Sequence, residues 1–353
     1  MDLSFSPEDD AFRGEVRAFI SDHYPPELRV PNPPFSSRPS WDGVSKESWI
    51  LRSSISRNDQ QVGRSQSGSC SENILTSNDT HEAARTQSVQ IGEVRLAYRR
   101  FGRPGGLPLL LLNYFAANMD DWDPKVTNGF AAERDVILFD NAGVGSSTGE
   151  TPSTVAAMTK DCVDFCCALD LKNFDVVGFS LGGMVAQQLA FEYPDMIRRM
   201  ILLGTGPRGG EGMTFTELST DLLADPVALL MSAFFTPSEA SKAAGQVYIE
   251  RLKLRVADRD APVSMKAAGA QLEAIREWGS IPSTDRYAML PRIYQRTLIV
   301  HGSKDIVVMP INAFLLAQHL PDAQLVMYPD ASHGAQSQHA DVFLQHARIF
   351  LNG

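Results

Sequence analysis

The chain has 353 residues, room for one large domain or two ordinary ones, and its 43% hydrophobic and 21% charged residues are those of a globular protein. A formal net charge of -10 argues against a general binder of nucleic acid or anionic membrane, and no apolar run approaches the ~18–20 residues of a membrane span. Four cysteines without a CxxC pair exclude a disulfide framework and offer no zinc-ligand spacing.

The opening stretch, MDLSFSPEDDAFRGEVRAFI, is acidic and amphipathic rather than basic and then apolar. It does not read as a secretory leader, and the cytoplasm is the expected location. Residues 1–29 are expected to hold one helix. Ser6 can cap it, Pro7 fits its first turn, and Glu8, Asp9 and Asp10 suit the positive end of its dipole. Phe12, Val16, Phe19 and Ile20 fall on one face. This segment resembles the amino-terminal helix of acyl-CoA dehydrogenases. Nothing after it resembles the flavin-binding body of that family, so no flavin chemistry is implied. Residues 30–87 are rich in Ser, Asn, Gln and Arg without helical or strand periodicity, and are expected to form a disordered linker.

From residue 88 onward, strands and helices alternate. VQIGEVRLAYRRFG reads as a hairpin around Gly92, and LPLLLLNYF and DVILFDNAG as buried strands. TVAAMTKDCVDFCCALDL has helical spacing, NFDVVGFS is a strand, and GGMVAQQLAFEYP is a helix stopped by Pro194. RRMILLGTGP, RTLIVHGSKD and AQLVMYPDASHG read as further strands, with helices at INAFLLAQHLP and ADVFLQHARIFL. Such alternation predicts an α/β fold, a mostly parallel sheet flanked by helices. Between residues 207 and 296 the alternation gives way to helical patterns, expected as a cap inserted between the two halves of the core, residues 88–206 and 297–353.

The stretch VVGFSLGGM sets Ser180 between Gly178 and Gly182, a G-x-S-x-G spacing at the junction of an expected strand and an expected helix. That context suits a nucleophile held on a strained turn at the strand edge where ligands bind. A serine hydroxyl needs a base, and the base needs an orienting acid. Among seven histidines, His23 and His81 lie in the leading helix and linker, while His301, His319 and His346 lie in strands or helices and read as structural or solvent-facing. His333, in the small-residue loop PDASHGAQ after the last strand, is the candidate base, with His339 as a weaker rival. Asp305, in the loop after TLIVHG, is the candidate acid, with Asp330 as its rival in sequence and Asp140 as a brace for the site. The chain order is then Ser180, Asp305, His333. For the oxyanion, the backbone N–H of Leu181 and that of Phe115 are the candidate donors.

With these motifs in place, residues 88–353 resemble the α/β-hydrolase superfamily, in particular its capped esterase, lactonase and cofactor-free haloperoxidase-like members. GFSLGG matches the nucleophile elbow, HGSKD the acid and SHG the histidine. Two positions depart from the pattern. Asn113-Tyr114 stand where His-Gly is usual before the oxyanion residue, and Ala142 stands where the turn DNAGVGSS would carry an arginine. The resemblance implies a serine hydrolase acting on a small or medium ester or lactone, with no metal or organic cofactor and a small-molecule substrate. The same residues could serve peracid formation or C–C cleavage, and a ligand-binding member without turnover would share the fold.

Overall fold

The computed structural model describes residues 80–213, 225–281 and 283–353. The expected leading helix, most of the expected linker and the first part of the expected cap, residues 214–224, lie outside the described residues. Eight strands form one sheet: β1 Gln87–Ile91, β2 Val94–Gly102, β3 Leu109–Leu112, β4 Asp135–Phe139, β5 Phe174–Phe179, β6 Ile197–Leu203, β7 Arg296–Gly302 and β8 Ala323–Tyr328. Their spatial order is β1-β2-β4-β3-β5-β6-β7-β8. β1 and β2 are a hairpin whose end residues Ile91 and Val94 pair across a turn with Gly92 at φ 57°. β2 runs antiparallel to β4, and the other pairs are parallel.

The central strands are apolar on both sides, and the two-residue strand period divides them between two cores. Leu110, Leu112, Ile137, Phe139 and Val176 face one; Leu109, Leu111, Val136, Leu138 and Val177 face the other. Helices cover both faces. They are α1 Pro124–Ala131, α2 Val155–Ala168 and α3 Leu181–Glu192, then α4 Pro226–Phe234, α5 Glu239–Leu252 and α6 Met265–Gly279. The last three are α7 Ile311–His319, α8 Ala335–Gln338 and α9 Ala340–Asn352. Among the described residues, no helix is long and apolar enough to cross a membrane.

Two differences from the sequence pattern have plain causes. Helix α1 leaves little trace in the sequence pattern, because PKVTNGFA is short and weakly apolar. It forms because Asp123 caps it, accepting from the N–H of Lys125, and because Pro124 suits its first position. The polar composition before residue 88 suggested a linker reaching residue 87. The described chain is already packed from His81, whose N–H bonds Asn128 Oδ1 at 2.7 Å, and Ala84 is buried. The buried guanidinium of Arg255, in the stretch after α5, receives this segment, donating to the carbonyls of Glu82 and Ala84 at 3.1 and 2.8 Å. Within α2, Cys162 and Cys166 are buried and Cys167 is exposed.

Candidate active site

Ser180 stands between β5 and α3 at φ 53° and ψ −113°, a left-handed conformation that a residue with a side chain adopts only under constraint. The constraint is visible. Its N–H bonds Leu203 O on β6 at 2.8 Å, and its carbonyl accepts from Thr205 Oγ1 at 2.8 Å. Gly182 explains the second glycine of the motif, because a Cβ there would lie 2.2 Å from Leu112 O. α3 can therefore start hard against the end of β3. Leu181 to Ala190 are all buried, which a short apolar helix with little polar face requires.

His333 follows β8 and Asp305 follows β7, and the two meet: His333 Nδ1 and Asp305 Oδ2 are 2.8 Å apart. Oδ1 of the acid accepts from the N–H groups of Val307 and Val308 at 2.8 and 2.9 Å. Burial by itself would raise the Asp305 pKa. The charge of His333 and hydrogen bonds from His301 and His333 outweigh it, and hold the carboxyl far below its ordinary range. Ser180, His333 and Asp305 are 5%, 3% and 4% exposed, so the group is largely shielded from water. His333 sits over the chain next to the elbow: a Cβ at Gly204 would lie 3.1 Å from its Nδ1, and its ring is 5.0 Å from that of Phe179. Among the described residues, the Ser180 hydroxyl forms no hydrogen bond with His333; such contacts commonly tighten only with substrate bound.

The rival residues have other partners. Asp330 accepts from Thr236 Oγ1 and Ser238 Oγ, both at 2.6 Å, and ties down the turn between α4 and α5. His339 stacks on Tyr328 and His319 on Tyr287, while His346 bonds the Tyr328 hydroxyl. Asp140 braces the loop after β3, its Oδ1 accepting from the N–H of Met119 at 2.8 Å. Ala142 stands where an arginine would be; Arg99 on β2 is a buried guanidinium bonded to Asp120 at 2.6 Å and Asp260 at 2.8 Å, and its charge is felt at Asp140.

His301 was read as structural because it lies inside a strand pattern. It is fully buried, with Nε2 2.8 Å from Val308 O and 3.1 Å from Asp305 Oδ2, so it holds the turn that carries the acid. Its position four residues before Asp305 was the available signal. Phe234, at the end of α4, also reaches the site, with its ring 5.7 Å from that of His333.

Leu181 opens α3, where the first N–H groups have no intrahelical acceptor. Neither its N–H nor that of Phe115 has an acceptor among the described residues. Phe115 packs partly buried against the apolar cluster that contains Leu181. No group of three or more His, Cys, Asp or Glu able to hold a metal ion occurs among the described residues. An open groove of about 580 Å³ borders Asp305, Lys304 and Phe235, but Ser180 is not part of its lining.

Comparison with known proteins agrees with this architecture. A family model described as alpha/beta hydrolase fold matches residues 108–340. A poly(3-hydroxyalkanoate) depolymerase of Ectopseudomonas oleovorans is 30% identical over 262 residues, covering 70% of this chain and 84% of that protein. A pimeloyl-[acyl-carrier protein] methyl ester esterase of Nitrosospira multiformis is 27% identical, covering 72% of this chain and 97% of that protein. Among solved structures, an alpha/beta hydrolase fold protein from Chitinophaga pinensis aligns with a TM-score of 0.73 at 40% identity, over 78% of this chain and 99% of that one. The family match, the eight-stranded sheet and the strand-to-helix turn at Ser180 have one reading: the chain belongs to the alpha/beta hydrolase fold family.

Proposed function

We propose that the protein is a serine hydrolase that cleaves a small or medium ester or lactone through an acyl-enzyme on Ser180. The observation that carries this reading is the 2.8 Å His333–Asp305 hydrogen bond beside a serine held in a left-handed elbow. In the first step, Ser180 Oγ attacks the substrate carbonyl carbon while His333 Nε2 takes the hydroxyl proton. The carbonyl oxygen becomes an oxyanion that the N–H groups of Leu181 and Phe115 stabilise. Collapse expels the alcohol, which takes the proton back from His333. Water then repeats the sequence on the acyl-enzyme, releasing the acid and restoring Ser180. Asp305, kept anionic by its donors, orients the imidazole and stabilises its protonated form without itself taking a proton.

The helices between β6 and β7, in a segment spanning residues 207–296, act in this reading as the cap that shapes the acyl pocket. The naming of one relative as a methyl ester esterase supports an ester as the bond cleaved. The decisive experiment is covalent labelling with a fluorophosphonate, followed by turnover of short p-nitrophenyl esters. Labelling at Ser180 with turnover is expected. Labelling without turnover would leave a ligand-binding member of the fold, and absence of labelling would remove Ser180 as nucleophile.

A further inference from the structure

The loop after β3 departs from the family pattern where an oxyanion donor is needed, and the structure holds that loop from an unexpected direction. Ala116, directly after Phe115, has φ 54°, and its N–H donates to Gln271 Oε1 on α6 at 2.7 Å. Gln271 is fully buried, and its Nε2 has no partner among the described residues. The acceptor oxygen is thus the half of the amide that is used. Ala274, Ile275 and Trp278 of α6 share one apolar cluster with Leu181, and Phe115 packs against that cluster. Helix α6 therefore shares a core with Leu181 and bonds the residue next to Phe115 in the chain.

We propose that Gln271 is a positioning residue that sets the Phe115 N–H for the oxyanion by clamping the Ala116 N–H from the inserted helices. This inference rests on the serine-hydrolase reading above. A left-handed alanine is a disfavoured conformation that relaxes unless its surroundings hold it. The peptide plane that carries the Ala116 N–H is hinged at the Phe115 Cα to the plane that carries the Phe115 N–H, so anchoring the first narrows the backbone torsions that aim the second. The oxyanion hole would then be complete only while α6 is seated, which makes turnover depend on a contact outside the core.

The test uses Gln271→Met and Gln271→Glu in the full chain with p-nitrophenyl butyrate. Methionine keeps the side-chain length and loses the acceptor; glutamate keeps an acceptor oxygen and replaces the unpartnered amide nitrogen with a second carboxyl oxygen, at the cost of burying an acid. The Met variant should lower kcat by roughly 10- to 100-fold, less than or comparable to outright loss of one oxyanion donor, with KM little changed. Its affinity for a phenylboronic acid, which mimics the tetrahedral oxyanion, should weaken in parallel. Gln271→Glu should recover most of kcat. A Met variant with wild-type kcat would overturn the proposal, as would a loss confined to KM. Should the Met variant not fold, Gln271→Leu, which also lacks the acceptor, takes its place: a loss of kcat that Gln271→Glu recovers supports the clamp, and wild-type kcat overturns it. Failure of the underlying reading looks different, because Ser180→Ala would then still turn over the ester.

Discussion

Phe234 and the imidazole of His333 meet in a T-shaped arrangement with 5.7 Å between their ring centroids. The same ring lies 5.5 Å from Phe179 and 5.3 Å from Tyr114, so the end of α4 completes an aromatic wall around the histidine. The backbone joins in: the N–H groups of His333 and Gly334 donate to the carbonyls of Ala233 and Phe234 at 3.2 and 3.0 Å. Phe234→Ala keeps those backbone bonds but empties the wall. It should cost about 3–5 kcal/mol of stability, measured by urea denaturation, and reduce turnover by freeing His333. Phe234→Leu should cost distinctly less. An alanine variant as stable as the wild type would mean that the ring is not a packed part of this wall.

The segment from Thr80 to Thr86 is expected to be required for the stability of the folded chain. His81 and Ala84 are buried, and Arg255 donates to the carbonyls of Glu82 and Ala84. A chain begun at residue 87 leaves the buried Arg255 guanidinium short of these acceptors. Leaving a buried charged donor unsatisfied costs about 1–3 kcal/mol or more. Two truncations, one begun at residue 80 and one at residue 87, should therefore differ by several degrees in Tm, with the shorter less stable. Equal melting would show that this segment contributes nothing.

A pH dependence follows from His81. Burial, then the charge of Arg99, pushes its imidazole down to about 3, against the opposing pull of Asp120. The unfolded chain binds a proton at His81 near the ordinary 6.5, and the folded chain does not until about 3. Stability from this group is complete above pH 6.5 and is lost as pH falls toward 3, with a slope of up to about 1.4 kcal/mol per pH unit. His81→Gln cannot take up a proton and keeps a polar partner for Thr127, whose hydroxyl lies 3.0 Å from the His81 ring. The stability of the variant, measured by urea denaturation between pH 4 and pH 7, should fall less steeply with acid than that of the wild type. Parallel curves would refute the assignment.

These two cases also show what the sequence leaves unread. The alternation of strands and helices follows from local period and from Pro and Gly punctuation, so the sheet was legible from residue 88 onward. The pairing of Asp305 with His333 was legible too, because each lies in a loop directly after a strand of that sheet. His81 and Arg255 are 174 residues apart, and no local pattern reports that a polar segment will be met by a distant guanidinium. Gln271 and Ala116 are hidden in the same way. A glutamine inside an amphipathic helix looks solvated until the partner of its oxygen is known. Arg99 lies in a hairpin strand whose alternation predicts a face but not the two carboxylates, Asp120 and Asp260, that neutralise it.

The last expectation concerns Ser180, His333 and Asp305 acting as one unit. Ser180→Ala, His333→Ala and Asp305→Asn remove no large apolar volume, so each variant should fold, as judged by its melting curve. Each should lose roughly 10⁴-fold or more in kcat with p-nitrophenyl esters, and the double and triple variants should be little worse than the single ones. Asparagine at 305 keeps acceptor capacity for the N–H groups of Val307 and Val308, so the turn should stay in place. What it loses is the negative charge that stabilises protonated His333, along with the orientation of the ring. Asp330→Asn is the control. Its carboxylate is committed to the hydroxyls of Thr236 and Ser238, and the variant should keep most of the wild-type rate. His339→Ala should do the same, since that ring stacks on Tyr328. If Asp330→Asn lost activity while Asp305→Asn kept it, the 2.8 Å contact between Asp305 and His333 would be a structural bond, and the acid would be Asp330, in the loop after β8.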